Sequence, residues 1–335
     1  MGPPSLSATA ASPLPRQDAV YQKYLHLQSL AVRHRNASLA GALVATSGMG
    51  REGMELAMAS TIAGAAFLGV EPRPQRLKSA LRHNACDFMV NTLDEALRVL
   101  KNELRKRRPV AVGLLGNAAE LLPLMVERGV QPDFLSDTSP LDAPDEYIVP
   151  ASLRTANGDA DFLSCRAAQL AAILRLARQG AVLVAPNDAL RTALTTFDGT
   201  NTTGLTAVFP SALAPAPASS PLDAADPACS FVHWTAGGPQ DMKRLDALAA
   251  SLLPPDDAMR LRWLEGVAGC FHRQTPLERI LSLQPGERTA LLEAIQRPSF
   301  RNTLEHAISL HWQDASGEEH TLHLPSEAPA HTTAE

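Results

Sequence analysis

Between Leu39 and Glu71 the chain reads LAGALVATSGMGREGMELAMASTIAGAAFLGVE, and this stretch narrows the choice of folds more than any other. Ala42 to Ala45 form a short apolar run that turn residues end abruptly, the pattern of a strand buried on both faces of a parallel sheet. A loop with Gly48, Gly50 and Gly53 follows. Met54, Ala57, Met58, Thr61 and Ile62 then recur at helical spacing, and Ala65 to Val70 make a second apolar run that stops at Glu71. The order is strand, glycine turn, helix, strand, acid.

Each part of that order has a chemical reason. Gly48 allows a tight turn, Gly50 lets backbone approach a pyrophosphate, and Gly53 permits close packing of helix on strand. The helix that begins there points free N–H groups and the positive end of its dipole at phosphate. Glu71 lies at the usual separation for an acid that accepts hydrogen bonds from the adenosine ribose hydroxyls. The pattern points to nucleotide binding; the plainer reading is a glycine-rich turn in an ordinary α/β domain.

A chain of 335 residues with 45% hydrophobic content fills one large or two ordinary domains. The net charge of −5 argues against a nucleic-acid partner, since binding to phosphate backbones needs clustered Lys and Arg. The basic run Arg105 to Arg108 closes an expected helix, where positive charge suits the dipole. Cys86, Cys165, Cys229 and Cys270 make no Cys-x-x-Cys pair, which indicates neither a zinc site nor a disulfide framework and suits a cytoplasmic protein. The opening MGPPSLSATAASPLPRQ lacks the charge and apolar run of a secretory leader, and no stretch reaches the apolar length of a membrane span.

Along the chain, residues 1–16 read as a disordered arm rich in Pro, Ser and Ala, and Gln17 to His34 as an amphipathic helix. After Glu71, Arg76 is placed to reach the adenosine end of a dinucleotide. Thr92 with Glu95 forms a capping box for a helix whose stripe is Leu93, Ala96, Leu97, Leu100 and Leu104. Pro109 to Leu115 is another strand; Asn117 caps the next helix, and Gly129 stops it. Asp133 to Ser136 is a third strand candidate. In an open parallel sheet ligands bind beyond the carboxyl ends of strands, so the loops 46–53, 116–118 and 136–148 are expected to face one crevice. A helix (Phe162 to Arg178), a strand (Ala181 to Val184) and a turn with Asn187 and Asp188 extend the same domain over 17–208. Residues 209–230 read as a Pro/Ala-rich linker, 231–324 as a helical C-terminal part with pieces at Asp256–Ala268, Thr275–Leu283 and Pro285–Ile295, and 325–335 as a loose tail. The expected class is α/β: a doubly wound, mainly parallel Rossmann-like sheet with a helical C-terminal part.

Put together, TSGMGREG, GVEPRPQR, VGLLGNAAELLPLMVERGVQPDFLSD and PPDDAMRLRWLEG resemble urocanate hydratase (urocanase), the histidine-degradation enzyme that uses NAD+ as an electrophile. The likeness runs from about Gln17 to Arg297, and an ordinary urocanase has further sequence at both ends. The resemblance implies that Gly48, Gly50 and Gly53 cradle NAD with Glu71 and Arg76 at its adenosine end. It also implies that Asn117 and Ala118 form a second cofactor loop, with Ser139 in the segment that follows the third strand. It implies a small imidazole-acrylate substrate whose electron-rich π-system attacks the nicotinamide ring, with no net hydride transfer, and a homodimer.

The sequence also departs from the family. Arg51 and Glu52 stand where the family has glycine and methionine; Arg51 suits phosphate, whereas Glu52 repels it. Thr138-Ser139-Pro140-Leu141-Asp142 replaces a segment with Gln and His, and a family tyrosine falls at about Pro186. The family's active-site cysteine aligns near Leu281, where there is no thiol, and Cys270 is read as a buried structural thiol. Two functions therefore stay open: a hydro-lyase acting on urocanate with bound NAD+, or a non-catalytic relative serving as scaffold or regulatory partner. A simple dehydrogenase is a third. His233, His272, His306, His311, His320 and His323 form no helical His-x-x-x-His pair and are read as solvent-exposed, with no metal site. Asp256 and Asp257 are read as a helix cap. Ser47 and Ser139 have no evident His base.

Overall fold

The computed structural model describes residues 14–326 apart from 37, 142, 156, 185–187, 199–206, 209–228, 272–276 and 315. The first part alternates helix and strand: α1 (Gln17–His34), β1 (Leu43–Ser47), α2 (Arg51–Ile62), β2 (Ala66–Glu71), α3 (Pro74–Arg82), β3 (Phe88–Val90), α4 (Leu93–Lys106), β4 (Val110–Leu115), α5 (Ala118–Glu127), β5 (Phe134–Asp137), α6 (Gly158–Arg178), β6 (Val182–Val184), α7 (Asp188–Asp198) and β7 (Ala207–Val208). The second runs β8 (Ser230–Ala236), α8 (Pro239–Leu252), α9 (Ala258–Cys270), β9 (Leu277–Leu283), α10 (Pro285–Gln296), α11 (Pro298–Arg301), β10 (Ile308–Gln313) and β11 (Glu319–Leu324).

The seven strands β1 to β7 form one parallel sheet in the order β3-β4-β2-β1-β5-β6-β7. Every residue of β1 and β2 is buried, as expected where helices cover both faces. The chain winds outward from β1 in both directions, so β1 and β5 flank the point where the strand order reverses. Local signals act as the sequence suggests. Thr92 and Glu95 close a reciprocal capping box on α4, Asn117 Oδ1 accepts the Ala119 N–H at 2.8 Å to cap α5, and Gly129 takes φ +64° just beyond that helix.

The C-terminal part does contain helices, but they pack on a second sheet, antiparallel in the order β11-β10-β8-β9. The segment Thr275–Leu283, expected to be helical, supplies β9 at Leu277–Leu283. Its leucines fit either period, and pairing with β8 decides between them. Val232, Trp234, Leu281, Leu283 and Leu310 are buried in the same core as Met242 and Leu245 of α8 and Leu291 and Ile295 of α10.

Helix α1 joins the two parts. Its Tyr21 and Tyr24 rings lie 4.6 and 5.3 Å from Trp263 of α9, and the Tyr21 hydroxyl is 2.9 Å from Ser282 Oγ of β9. The same helix packs on α2. Of the sequence readings, the arm up to 13, the stretch 209–228, the tail from 327, and Asp142, Pro186, Asn187 and His272 lie outside the described residues. No helix among the described residues is long and apolar enough to cross a membrane.

Candidate functional site

Strand β1 delivers the chain to Gly48, whose φ of +88° turns it sharply toward α2. A Cβ on Gly48 would stand 2.7 to 2.8 Å from Thr138, and one on Gly53 would stand 2.1 Å from the Gly48 carbonyl oxygen. Both positions need glycine for close backbone contact. Gly50 differs: a Cβ there would meet only Arg76 Nη1, at 3.9 Å. Gly50 is also the N-cap of α2 and offers no side-chain acceptor, so the helix begins with its positive end uncapped by any side chain. The local design is an open approach to a helix N-terminus, as an anion requires.

The three expected loops meet. Ser47 and Gly48, Glu71 with Arg73 and Arg76, Asn117 and Ala118, and Ser139 with Pro140, Tyr147 and Ile148 line one crevice beyond the carboxyl ends of β1, β2, β4 and β5. Arg51 does not plug it; this side chain is well exposed and stands 3.8 Å from Glu55 on the next turn of α2. Gly50 and Gly53 belong to the same turn but do not line the hollow itself.

Glu71 stands at the end of β2 as expected, but its carboxylate is fully buried and committed to the protein. One oxygen accepts the Met49 N–H at 2.8 Å and lies 3.4 Å from Arg76 Nη1; the other accepts the Arg73 N–H at 3.0 Å. The acid thus ties the glycine loop to the segment after β2, and a ribose would have to share it. Asn117 likewise serves two ends, capping α5 through Oδ1 and donating through Nδ2 to the Ile148 carbonyl.

Beneath the crevice lies a buried polar network that the sequence reading missed. Asp137, the last residue of β5, accepts the Ser139 N–H at 2.8 Å, the Ser139 hydroxyl at 2.5 Å and the Gln169 amide. Gln169, fully buried on α6, also donates to Ser139 Oγ at 2.8 Å and Ser47 Oγ at 3.3 Å, and accepts from the Tyr147 hydroxyl at 2.8 Å. Burial pushes the Asp137 carboxyl upward against the opposing pull of its donors. Asp137 could have been suspected from its place at a strand end; Gln169 gives no signal within its helical pattern.

Tyr147 and Ile148 lie across the opening. The Tyr147 hydroxyl reaches Gln169 and Asn117, and Arg73 donates to the Glu146 carbonyl from the far side. The space left is about 20 Å³, room for a water molecule or so. The residues therefore suit a dinucleotide in kind, while the segment around Tyr147 fills the room it would need.

Other sequence candidates fall elsewhere. Leu281, at the position matching the family cysteine, is fully buried in β9 and paired with Val232. Cys270 is half-buried at the end of α9, where burial pushes its thiol up to about 11, and it lines a separate cleft of about 780 Å³. Asp257 caps α9 through the Arg260 N–H at 3.0 Å, as read. Asp256 contributes nothing to the crevice.

Comparison with known proteins adds a family. The urocanase Rossmann-like domain model matches residues 17–192. Among solved structures, the quinate dehydrogenase from Corynebacterium glutamicum in complex with NAD is 12% identical over 58% of this chain and 50% of its own, with a TM-score of 0.29. The crystal structure of PRMT6 is 11% identical over 93% of this chain and 81% of its own, with a TM-score of 0.21. The match spans half the length of that dehydrogenase, and both scores are too low for either likeness to bear on function.

Proposed function

Because the chain belongs to the urocanase Rossmann-like domain family through residues 17–192, we propose that it binds NAD in the crevice at the strand-order reversal and performs no urocanate hydration. The convergence of Gly48, Glu71, Arg76, Asn117, Ala118 and Ser139 on that crevice carries the first half of this reading. Gly50 leaves the start of α2 open to a pyrophosphate, and Arg76 stands beside it with its guanidinium partly exposed. When bound, the nicotinamide supplies an electrophilic ring. Asn117 and Ser139 would orient the end of the cofactor nearest β5, and Asp137 would hold the Ser139 hydroxyl in place from beneath.

The second half rests on what surrounds that ring. Among the described residues lining the crevice there is no cysteine and no histidine. The position matching the family thiol is a core leucine of another sheet. The reading is a cofactor-binding relative in which the binding frame outlasts the reactive group. Titration of the purified chain with NAD+ in a calorimeter, beside the absorbance of urocanate at the same protein concentration, tests both halves. Binding that Gly50→Val abolishes, with urocanate unchanged, is the expected result. No NAD+ binding overturns the first half, and loss of urocanate absorbance overturns the second.

A further inference from the structure

The antiparallel sheet turns one face to α8 and α10, and its other face, which meets Tyr21 of α1 at Phe231, carries polar side chains beyond that contact that the crevice does not use. Phe231, His233 and Thr235 of β8, Ser309 and His311 of β10, and Thr321 and His323 of β11 alternate with the core residues and so share this outer face. The register sets His233 directly opposite His311, and His311 directly opposite Thr321. Side chains so paired on antiparallel strands have Cβ atoms about 4.5–5.5 Å apart, a span from which two imidazoles reach one ion.

The second ring nitrogen of His311 is oriented for such a role. Its Nδ1 lies 2.9 Å from Thr321 Oγ1, which leaves Nε2 as the nitrogen to offer a metal, the arrangement that fixes metal-binding imidazoles. His233 makes no hydrogen bond to a described residue, and it feels the charges of Asp18, Glu278 and His311. Asp18 is held by Arg16, whereas the Glu278 carboxylate accepts no hydrogen bond from a described residue. Glu278 sits two residues along β9 from Ile280, the residue facing His233, and so lies diagonal to His233 on the same face, adding negative charge beside it. His233 and Glu278 both line the cleft of about 780 Å³ between the start of α1, the end of α3 and β9.

We infer that His233 and His311 chelate a divalent transition-metal ion across β8 and β10, at the mouth of that cleft. Imidazole donors suit zinc, nickel and copper, and a pair of protein ligands leaves the remaining coordination positions to water. The one tight group of metal-type ligand atoms among the described residues, Asp314, Glu318 and His320, has another explanation. Asp314 organises the β10–β11 turn, taking N–H groups of Ser316 and Glu318 on one oxygen and His320 Nε2 at 2.9 Å on the other. That bond occupies the nitrogen His320 would offer a metal, so this group serves as an internal control.

Calorimetric titration of the chelator-treated full chain with zinc chloride, repeated with nickel chloride, tests the inference. One ion per chain is expected, with affinity falling at least about tenfold in His233→Ala and in His311→Ala and unchanged in His320→Ala. Thr321→Val, which removes only the hydroxyl that orients His311, is expected to weaken binding by a smaller factor while circular dichroism stays the same. No binding up to about 1 mM metal, binding that survives both histidine substitutions, or loss of binding in His320→Ala would each overturn it.

Discussion

The Glu71 carboxylate accepts the Met49 N–H at 2.8 Å, so the end of β2 holds the glycine loop that follows β1. Both backbone donors that Glu71 serves, on Met49 and Arg73, turn to this one side chain, which is fully buried. Glu71→Ala leaves them unpaired and strips Arg76 of its partner; a loss of about 2–4 kcal/mol is expected in urea unfolding. Glu71→Gln keeps one acceptor oxygen and should cost about half as much. Equal stability of the alanine variant and the parent would show that the loop does not depend on this acid.

The three glycines should separate by role. Gly48→Ala adds a Cβ at a φ of +88° and within 2.8 Å of Thr138, and Gly53→Ala drives one to 2.1 Å from the Gly48 carbonyl. Each is expected to lower the melting temperature markedly, by several kcal/mol in stability. Gly50→Ala meets only the tip of Arg76 at 3.9 Å, so its melting should stay within a few degrees of the parent. Its effect should appear in NAD+ binding instead.

Tyr147 fastens the segment that fills the crevice. Tyr147→Phe removes the bonds from its hydroxyl to Gln169 and Asn117, at 2.8 and 3.3 Å, and keeps the ring against Phe162. A stability cost of about 1 kcal/mol is expected, with faster amide hydrogen exchange across 143–149. If a dinucleotide enters only when this segment lifts, the same change should tighten NAD+ binding, because the competent state is then more populated. Weaker binding in Tyr147→Phe would mean instead that the hydroxyl touches the ligand.

Acid should destabilise the protein through His26 on α1. Its Nε2 is buried without a partner, and burial together with the charge of Arg33 lowers the ring to about 4. Between that value and the ordinary 6.5 or so, the unfolded chain binds a proton that the folded one refuses, so stability falls as pH drops through this window. A loss of about 1–2 kcal/mol from this site between about pH 7 and pH 5 is expected by denaturant titration. His26→Gln should flatten that dependence.

The parallel sheet was legible because its signals are local: apolar runs ended by turn residues, Thr92 with Glu95, Asn117 and Gly129. The rule that ligands gather beyond carboxyl strand ends brought three loops together before any coordinate did. What escaped was non-local. Leu277 to Leu283 fits both periods, and only β8 beside it settles the choice. Gln169 reads as one more polar residue on a helix, though it joins Asp137 to Tyr147. Likewise His233 and His311 are 78 positions apart and neighbours only through strand register. A spacing rule made for helices passes over such a pair.

The tyrosines of α1 have a consequence for how the polypeptide can be divided. This first helix follows the fate of the last sheet, since Tyr21 and Tyr24 rest on Trp263 and Ser282 while the other side of the helix rests on α2. A backbone cut anywhere between β7 and β8 should therefore leave two fragments that co-purify, clasped without a covalent link. Deleting residues 17–34, although they contribute no strand, should unfasten them.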